Sequence, residues 1–312
     1  MSRSHSIGTM ALVATAAMWG SSHVVARAAR DIVPLPSLVF WRWTLAAVIL
    51  TVVGFPSLRT SWPAARPRLA ELSIGGAIGV GLFSYLLLGG AYRSLALEVG
   101  FINATTPIWI VLIGLIERRS GSAEDEVTPA LVFGLVLALA GTLLIISKGR
   151  PQDLLMLRFS LGNLWSLLAA ISFAWFSIQI RRWTVEIEPL PLTIITAWTG
   201  LLFVMLPVYV GSLVMGNPWL TWNEHERWLG LAAISYIGLI PTMLGNIFYL
   251  YGVATTGATR AAAFLYLSPL FSAGLAVTWL GERFAWYHVL GTIAIFSGLL
   301  VVGRSSRQRS KA

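Results

Sequence analysis

The chain repeats itself. Pro34-Leu35-Pro36 recurs as Pro189-Leu190-Pro191. Trp19, Trp43, Tyr92, Pro107, Gly134 and Gly141 have counterparts at nearly constant separation in Trp175, Trp198, Tyr251, Pro269, Gly291 and Gly298. Each half also holds five apolar segments of membrane length, since ~30 Å of hydrocarbon takes ~20 helical residues to cross. An odd number per half sends the second copy into the membrane from the opposite side, which is the inverted-repeat layout of alternating-access carriers. The predicted fold is therefore all-α and integral to the membrane, with ten transmembrane helices as two inverted five-helix repeats. Residues 1–150 form the first repeat (spans 1–5). Residues 151–312 form the second (spans 6–10) and end in a short basic tail.

Composition supports a chain that cannot cover itself with solvated surface. Charged residues make up 11% and hydrophobic ones 56%, against about 25% charged in soluble domains. The formal charge of +9 does not point to nucleic acid, because the basic residues stand singly between apolar runs. Without cysteine, disulfides and thiolate chemistry are excluded. Ala14-Thr15-Ala16 resembles a signal cleavage site, but the apolar run continues through Met18 and Trp19 to about Ala29, so the start reads as a first membrane helix.

The predicted spans are Gly8–Ala29, Ser37–Phe55, Leu69–Ala91, Leu97–Ile116, Thr128–Ser147, Leu161–Ile180, Leu192–Met215, Trp228–Tyr251, Ala261–Leu280 and Trp286–Val302. The connections are short and carry breakers, among them Pro34, Pro56, Pro63, Pro67, Pro151 and Pro218. With both termini cytoplasmic, inner segments hold 13 basic residues and outer loops 8. The positive-inside rule then favours that orientation, a multi-pass protein of the cytoplasmic (inner) membrane. The two tails supply the whole margin. A reporter fused after Ala312 is expected to be active in the cytoplasm, and activity only outside it would overturn the assignment.

Polar groups at membrane depth need a partner, an aqueous cavity or a task. Trp19, His23 and Arg27 recur every fourth residue on one face of the first span, and Trp175 is followed by Gln179 on the sixth. These read either as cavity wall or as helix packing. Met18-Trp19-Gly20-Ser21-Ser22 provides either a flexion point or a close contact. Arg42, between Trp41 and Trp43, is the sole arginine well inside a predicted span, and its repeat counterpart is Ala197. It suits either the counter-charge of a carboxylate or an interfacial anchor stacked on tryptophan.

Asn103-Ala104-Thr105-Thr106-Pro107 matches Tyr266-Leu267-Ser268-Pro269. Each proline frees a carbonyl that Thr or Ser can serve, giving paired hinges or plain kinks. Thr242, Asn246 and Tyr249 share a face after Pro241, either lining a cavity or tying helices. No Asp or Glu stands in the middle of a span, and Glu98, Glu117 and Glu282 fall at span ends. His23 is then the titratable residue inside a span, so proton antiport through it stands beside facilitation and exchange. Enzyme signatures, cofactor motifs and paired intramembrane carboxylates are missing. The glycines from Gly75 to Gly81 lie within a span and read as close helix packing.

Trp19-Gly20-Ser21-Ser22, Phe40-Trp41-Arg42-Trp43, Pro107, and Ser268-Pro269 with Leu280-Gly281-Glu282-Arg283 resemble the EamA-type carriers of the drug/metabolite transporter superfamily. The resemblance runs from about Met10 to Val302. It departs where Glu117 follows Pro107 more closely than Glu282 follows Pro269. It implies a central pathway lined by the first four helices of each half, with spans 5 and 10 peripheral, and outward movement of small metabolites, commonly amino acids and related compounds.

The expected function is a secondary transporter, an exporter of a small organic metabolite working by alternating access, without catalytic residues, cofactor or metal. Its substrate-binding candidates are Trp19, His23, Arg42, Asn103, Trp175, Gln179, Asn246, Tyr249 and Tyr266, with Gly20, Pro107 and Pro269 as hinges. The alternative is a non-transporting membrane scaffold or subunit of a membrane assembly. The expected partners are a small-molecule substrate and the lipid bilayer, with no nucleic acid. Gly134, Gly141, Gly291 and Gly298 would allow close helix contact, including that of a homodimer.

Overall fold

A computed structural model describes residues 3–117, 129–150, 152, 160–220, 224–256, 264 and 267–309. Among these residues the regular secondary structure is all helix, joined by short turns and connections. The helices are α1 (Arg3–Ala28), α2 (Leu35–Ala65), α3 (Leu69–Gly76), α4 (Phe83–Arg93), α5 (Ala96–Asn103), α6 (Thr106–Glu117) and α7 (Pro129–Ile146) in the first half. The second half supplies α8 (Leu161–Trp183), α9 (Pro189–Gly200), α10 (Leu206–Val214), α11 (Glu224–Ile237), α12 (Gly245–Thr256), α13 (Ser268–Leu280) and α14 (Trp286–Arg309). Six continuous helical stretches are long and apolar enough to cross a membrane: Ser6–Ala28, Leu35–Arg93, Ala96–Gly114, Leu161–Trp183, Pro189–Val214 and Glu226–Thr256.

One of these stretches folds back on itself. Leu35–Arg93 is helical over 59 residues. Yet the Trp43 indole donates to Ser84 Oγ at 2.7 Å, whereas a straight helix would hold the two about 60 Å apart at 1.5 Å per residue. The chain therefore doubles back between them, near the 3₁₀ turn Arg66–Arg68. Pro56 and Pro63, read from sequence as breakers in a connection, lie inside α2 instead. Their missing N–H groups free only the carbonyls of Val52 and Arg59, both at exposed positions near the end of the span.

Widened π-type turns interrupt three spans, at Ala77–Leu82, Leu201–Met205 and Gly238–Leu244. Pro241 sits within the last and Pro207 just after the second. A residue without N–H cannot continue the α pattern, so a local change of pairing follows.

Packing crosses between the halves. α1 lies on α12 and α13, while α8 lies on α4 and α6; α2 meets α9, α5 meets α13, and α7 meets α14. Glycines set these separations. A Cβ on Gly141 would stand 2.5 Å from the Gly291 carbonyl, and one on Gly298 would strike the Gly134 carbonyl. Likewise Gly76 abuts the Thr196 carbonyl, and Gly79 the Phe176 ring. Backbones this close gain dispersion and weak polar contacts that larger side chains would forbid. The four glycines of α7 and α14 thus face one another inside a single chain, and the homodimer expectation loses the support they gave it. Large apolar side chains such as Val52, Phe55, Phe133, Val136 and Phe203 stay exposed, as lipid-facing residues do.

Candidate functional site

Arg42 is carried by α2 into a region that is 7% exposed. Its seat depends on the irregular turn Gly238–Leu244. Gly238 lets that turn come close, since a Cβ there would stand 3.1 Å from the Arg42 carbonyl. Three residues on, Pro241 cannot donate a backbone hydrogen bond, which frees the Ile237 carbonyl. The Thr242 hydroxyl donates to that carbonyl at 2.7 Å. The Thr242 hydroxyl oxygen in turn accepts from Arg42 Nη1 at 3.1 Å. The helix irregularity thereby builds an acceptor that arginine reaches from the other half.

The guanidinium is otherwise lightly held. Its Nε has no hydrogen-bond partner although it is buried. Its Cζ lies 5.5 Å from the Trp43 ring, within the range of a cation–π contact. A guanidinium offers five N–H donors, and one hydrogen bond to Thr242 leaves most of that fork for another group.

α1 reaches the same turn. The Trp19 indole donates to the Pro241 carbonyl at 2.9 Å, and its ring lies 5.4 Å from that of Tyr249. One turn later His23 is 3% exposed, with Nδ1 lacking a partner, within electrostatic range of Arg42. Asn246 Nδ2 donates to the Thr242 carbonyl at 2.5 Å. Gly20 rests against the backbone of α13, where a Cβ would meet the Ser268 carbonyl at 2.5 Å. Ser21 and Ser22 donate back to the carbonyls of Met18 and Trp19 at 2.7 and 2.6 Å.

Trp19, His23, Arg42, Asn246 and Tyr249 are therefore gathered in one region, with Thr242 at its centre. Trp175 and Gln179 are placed differently. Trp175 packs on the larger apolar core, and Gln179 Oε1 accepts from Arg182 Nη1 at 3.2 Å. Asn103 closes α5 with its buried Oδ1 unpartnered. After it the helix breaks, and Thr106 Oγ1 serves the Asn103 carbonyl at 2.7 Å, the one Pro107 leaves free. Pro107 and Pro269 each stand in the first turn of a helix, α6 and α13, where a missing N–H is tolerated. Tyr266 lies outside the described residues.

Two open pockets among the described residues lie elsewhere. One is bordered by Arg30, Pro34, Tyr85 and Arg93, the other by Arg27, Leu95, Glu282 and Arg283. Both sit at the face carrying the α1–α2 turn. At the other face Arg68 Nη2 meets Glu186 Oε1 at 2.6 Å, and Ser57 Oγ meets Glu188 Oε2 at 2.5 Å. Arg42 and His23 are thus enclosed. Among the described residues no cluster of His, Asp and Glu has a metal-holding arrangement. Around Arg42 the arrangement offers cation, hydroxyl, imidazole and aromatic surface, a set suited to holding a small anionic or zwitterionic group.

Sequence reasoning overlooked the local role of Pro241, although the run Pro241-Thr242 contained its signal. It also placed Glu98 at a span end, where the structure buries it completely.

The profile of the EamA-like transporter family matches residues 6–147 and again residues 160–304. A probable terminal-alkyne amino-acid exporter of Streptantibioticus cattleyicolor is 24% identical over 303 residues, 96% of this chain and 95% of that protein. An uncharacterized inner membrane transporter of Salmonella typhimurium, YicL, is 25% identical over 319 residues, 98% of each. A solved crystal structure superposes with a TM-score of 0.60 at 18% identity, over 97% of this chain and 98% of that one.

Proposed function

We propose, from the premise that the chain belongs to the EamA-like transporter family, that it is a secondary carrier exporting a small organic metabolite across the cytoplasmic membrane by alternating access. It is a multi-pass membrane protein and not an enzyme. The observation that carries the reading is Arg42, a buried arginine that donates across the halves to Thr242 and whose Nε has no hydrogen-bond partner among the described residues. An amino acid suits this seat, since its carboxylate pairs with a guanidinium in a two-point fork. The relative named as an amino-acid exporter makes that class the first to test.

The architecture we assign is ten membrane helices in two inverted five-helix repeats with cytoplasmic termini. The pairing of elements supports it. Exchanging each span with its counterpart turns α1 on α12 into α8 on α4, and α1 on α13 into α8 on α6. It leaves the α2–α9 and α7–α14 pairs unchanged. Such an exchange is what a pseudo-two-fold axis in the membrane plane produces. Trp19, His23, Arg42, Asn246 and Tyr249 then form the seat, with Asn103, Trp175, Gln179 and Tyr266 along the pathway. Gly20, Pro107 and Pro269 are the flexion points.

Counterflow into proteoliposomes tests the reading. Liposomes loaded with an unlabelled compound are expected to accumulate its labelled form from outside for at least one member of an amino-acid panel. No accumulation of any labelled metabolite, from a protein that elutes folded, would shift the assignment to a membrane scaffold.

A further inference from the structure

Glu98, in the first turn of α5, is fully buried, and neither carboxylate oxygen has a hydrogen bond. Its neighbour Glu282 differs sharply. Glu282 accepts from the backbone N–H groups of Ala96 and Leu97 at 2.9 and 3.2 Å and lies 3.6 Å from Arg27. It therefore caps α5, and Glu98 is left without a structural donor.

The peripheral helix pair brings charged and titratable groups to Glu98. Lys148, just past α7, places Nζ 4.0 Å from Oε1. His288, in the first turn of α14, places Nε2 3.6 Å from the same oxygen. Arg27 of α1 and Tyr287 of α14 stand within electrostatic range. His288 Nδ1 accepts from the Ala285 N–H at 3.0 Å, so the ring proton belongs on Nε2, facing Glu98.

Lys148 is held with unusual care. It has a positive φ of 51°, in the left-handed region that side chains rarely adopt. The next residue, Gly149, also has positive φ and lies so close to the Trp286 ring that a Cβ would strike it. A strained turn is thus pinned to α14 with its ammonium directed at Glu98. Lys148 is half exposed, and the open pocket bordered by Leu95 and Glu282 ends one turn from Glu98. Protons can reach the carboxyl from that face.

We propose that Glu98, with His288 and Lys148, is a proton-binding site that couples the carrier to the proton gradient. Two states are compatible with the fold. In one, Glu98 is a carboxylate with Lys148 as counter-ion. In the other it has taken a proton from water, is neutral, and no longer holds Lys148. Glu98 belongs to the span broken at Ala104-Thr105, whereas Lys148 and His288 belong to the α7–α14 pair. Protonation therefore releases the broken span from the peripheral pair, and loss of the proton to water restores the contact. The coupling role rests on the carrier reading above; the proton site does not.

Infrared difference spectra of the purified protein between acid and alkaline buffer read the proton directly. Above the background of the other 12 acidic residues, a protonated-carboxyl band is expected in the parent and absent from Glu98→Gln. In proteoliposomes, Glu98→Gln is expected to keep counterflow of the panel amino acid within about twofold and to lose at least tenfold of the uptake driven by an imposed pH gradient. If the band persists in Glu98→Gln, or gradient-driven uptake survives, the proposal is overturned. Should Glu98→Gln fail to fold, Lys148→Met is informative. It removes the counter-ion of the deprotonated state, so at least tenfold of the gradient-driven uptake should be lost while counterflow stays within about twofold, and intact gradient-driven uptake would refute the site. Absence of counterflow in the parent, with the band intact, would count against the carrier and not against the proton site.

Discussion

Arg42→Met is expected to reduce counterflow by at least tenfold while the protein melts within a few degrees of the parent. The two halves of that expectation come from the same geometry. A cation deep in the membrane costs ~2.5–3.5 kcal/mol or more, and a single hydrogen bond to Thr242 offsets only part of it. Replacing the guanidinium by an apolar chain of similar length removes the cost along with the bond, so stability should hardly change. A substrate carboxylate, by contrast, would lose charge-assisted bonds of about 1.5–3 kcal/mol, roughly 10- to 150-fold in affinity. Arg42→Lys keeps the charge but not the planar fork, so it should fall between parent and Met variant. Normal counterflow in both variants at normal expression would remove Arg42 from the substrate seat.

The repeat was legible because its markers do packing work that depends on residue type: glycines where backbones touch, as Gly141 on Gly291, and tryptophans that reach across, as Trp19 to Pro241. Trp19 and His23 share a face by spacing alone, and the structure keeps them together with Tyr249. Arg42 announced itself by its depth, but its partner did not. Thr242 is 200 residues away, and what makes it an acceptor is the irregular turn around Pro241. Glu98 stands at a span end, as its place in the chain indicates; its burial was not legible there, because Lys148 and His288 meet it only in three dimensions. Pro56 and Pro63 did mislead. Proline breaks a helix through the bonds it removes, and at an exposed helix end those bonds are cheap to lose.

Gly141→Leu and Gly298→Leu are expected to destabilise the protein by about 3 kcal/mol or more, at or above the top of the usual overpacking range. A Cβ at Gly141 would meet the Gly291 carbonyl at 2.5 Å and Ala294 Cβ at 2.9 Å. A Cβ at Gly298 would stand 2.7 Å from Ala138 Cβ and 2.8 Å from Ala138 N. Side chains can rotate out of a clash, but backbone cannot, so α7 and α14 would have to move apart along their length. Gly211→Leu supplies the control, because a Cβ there meets nothing within 4 Å. That change should be neutral or mildly stabilising, since glycine is about 0.8–1 kcal/mol worse than alanine in a helix. Thermal melts of fluorescent fusions in detergent would separate the three. The same variants decide what the glycines join. If Gly141→Leu and Gly298→Leu left the melting temperature untouched and converted a dimer to monomer, the close contact would lie between two copies. If they unfold the single chain, it lies where α7 meets α14. In that case the peripheral pair is also the fixed frame that holds Lys148 and His288 against Glu98.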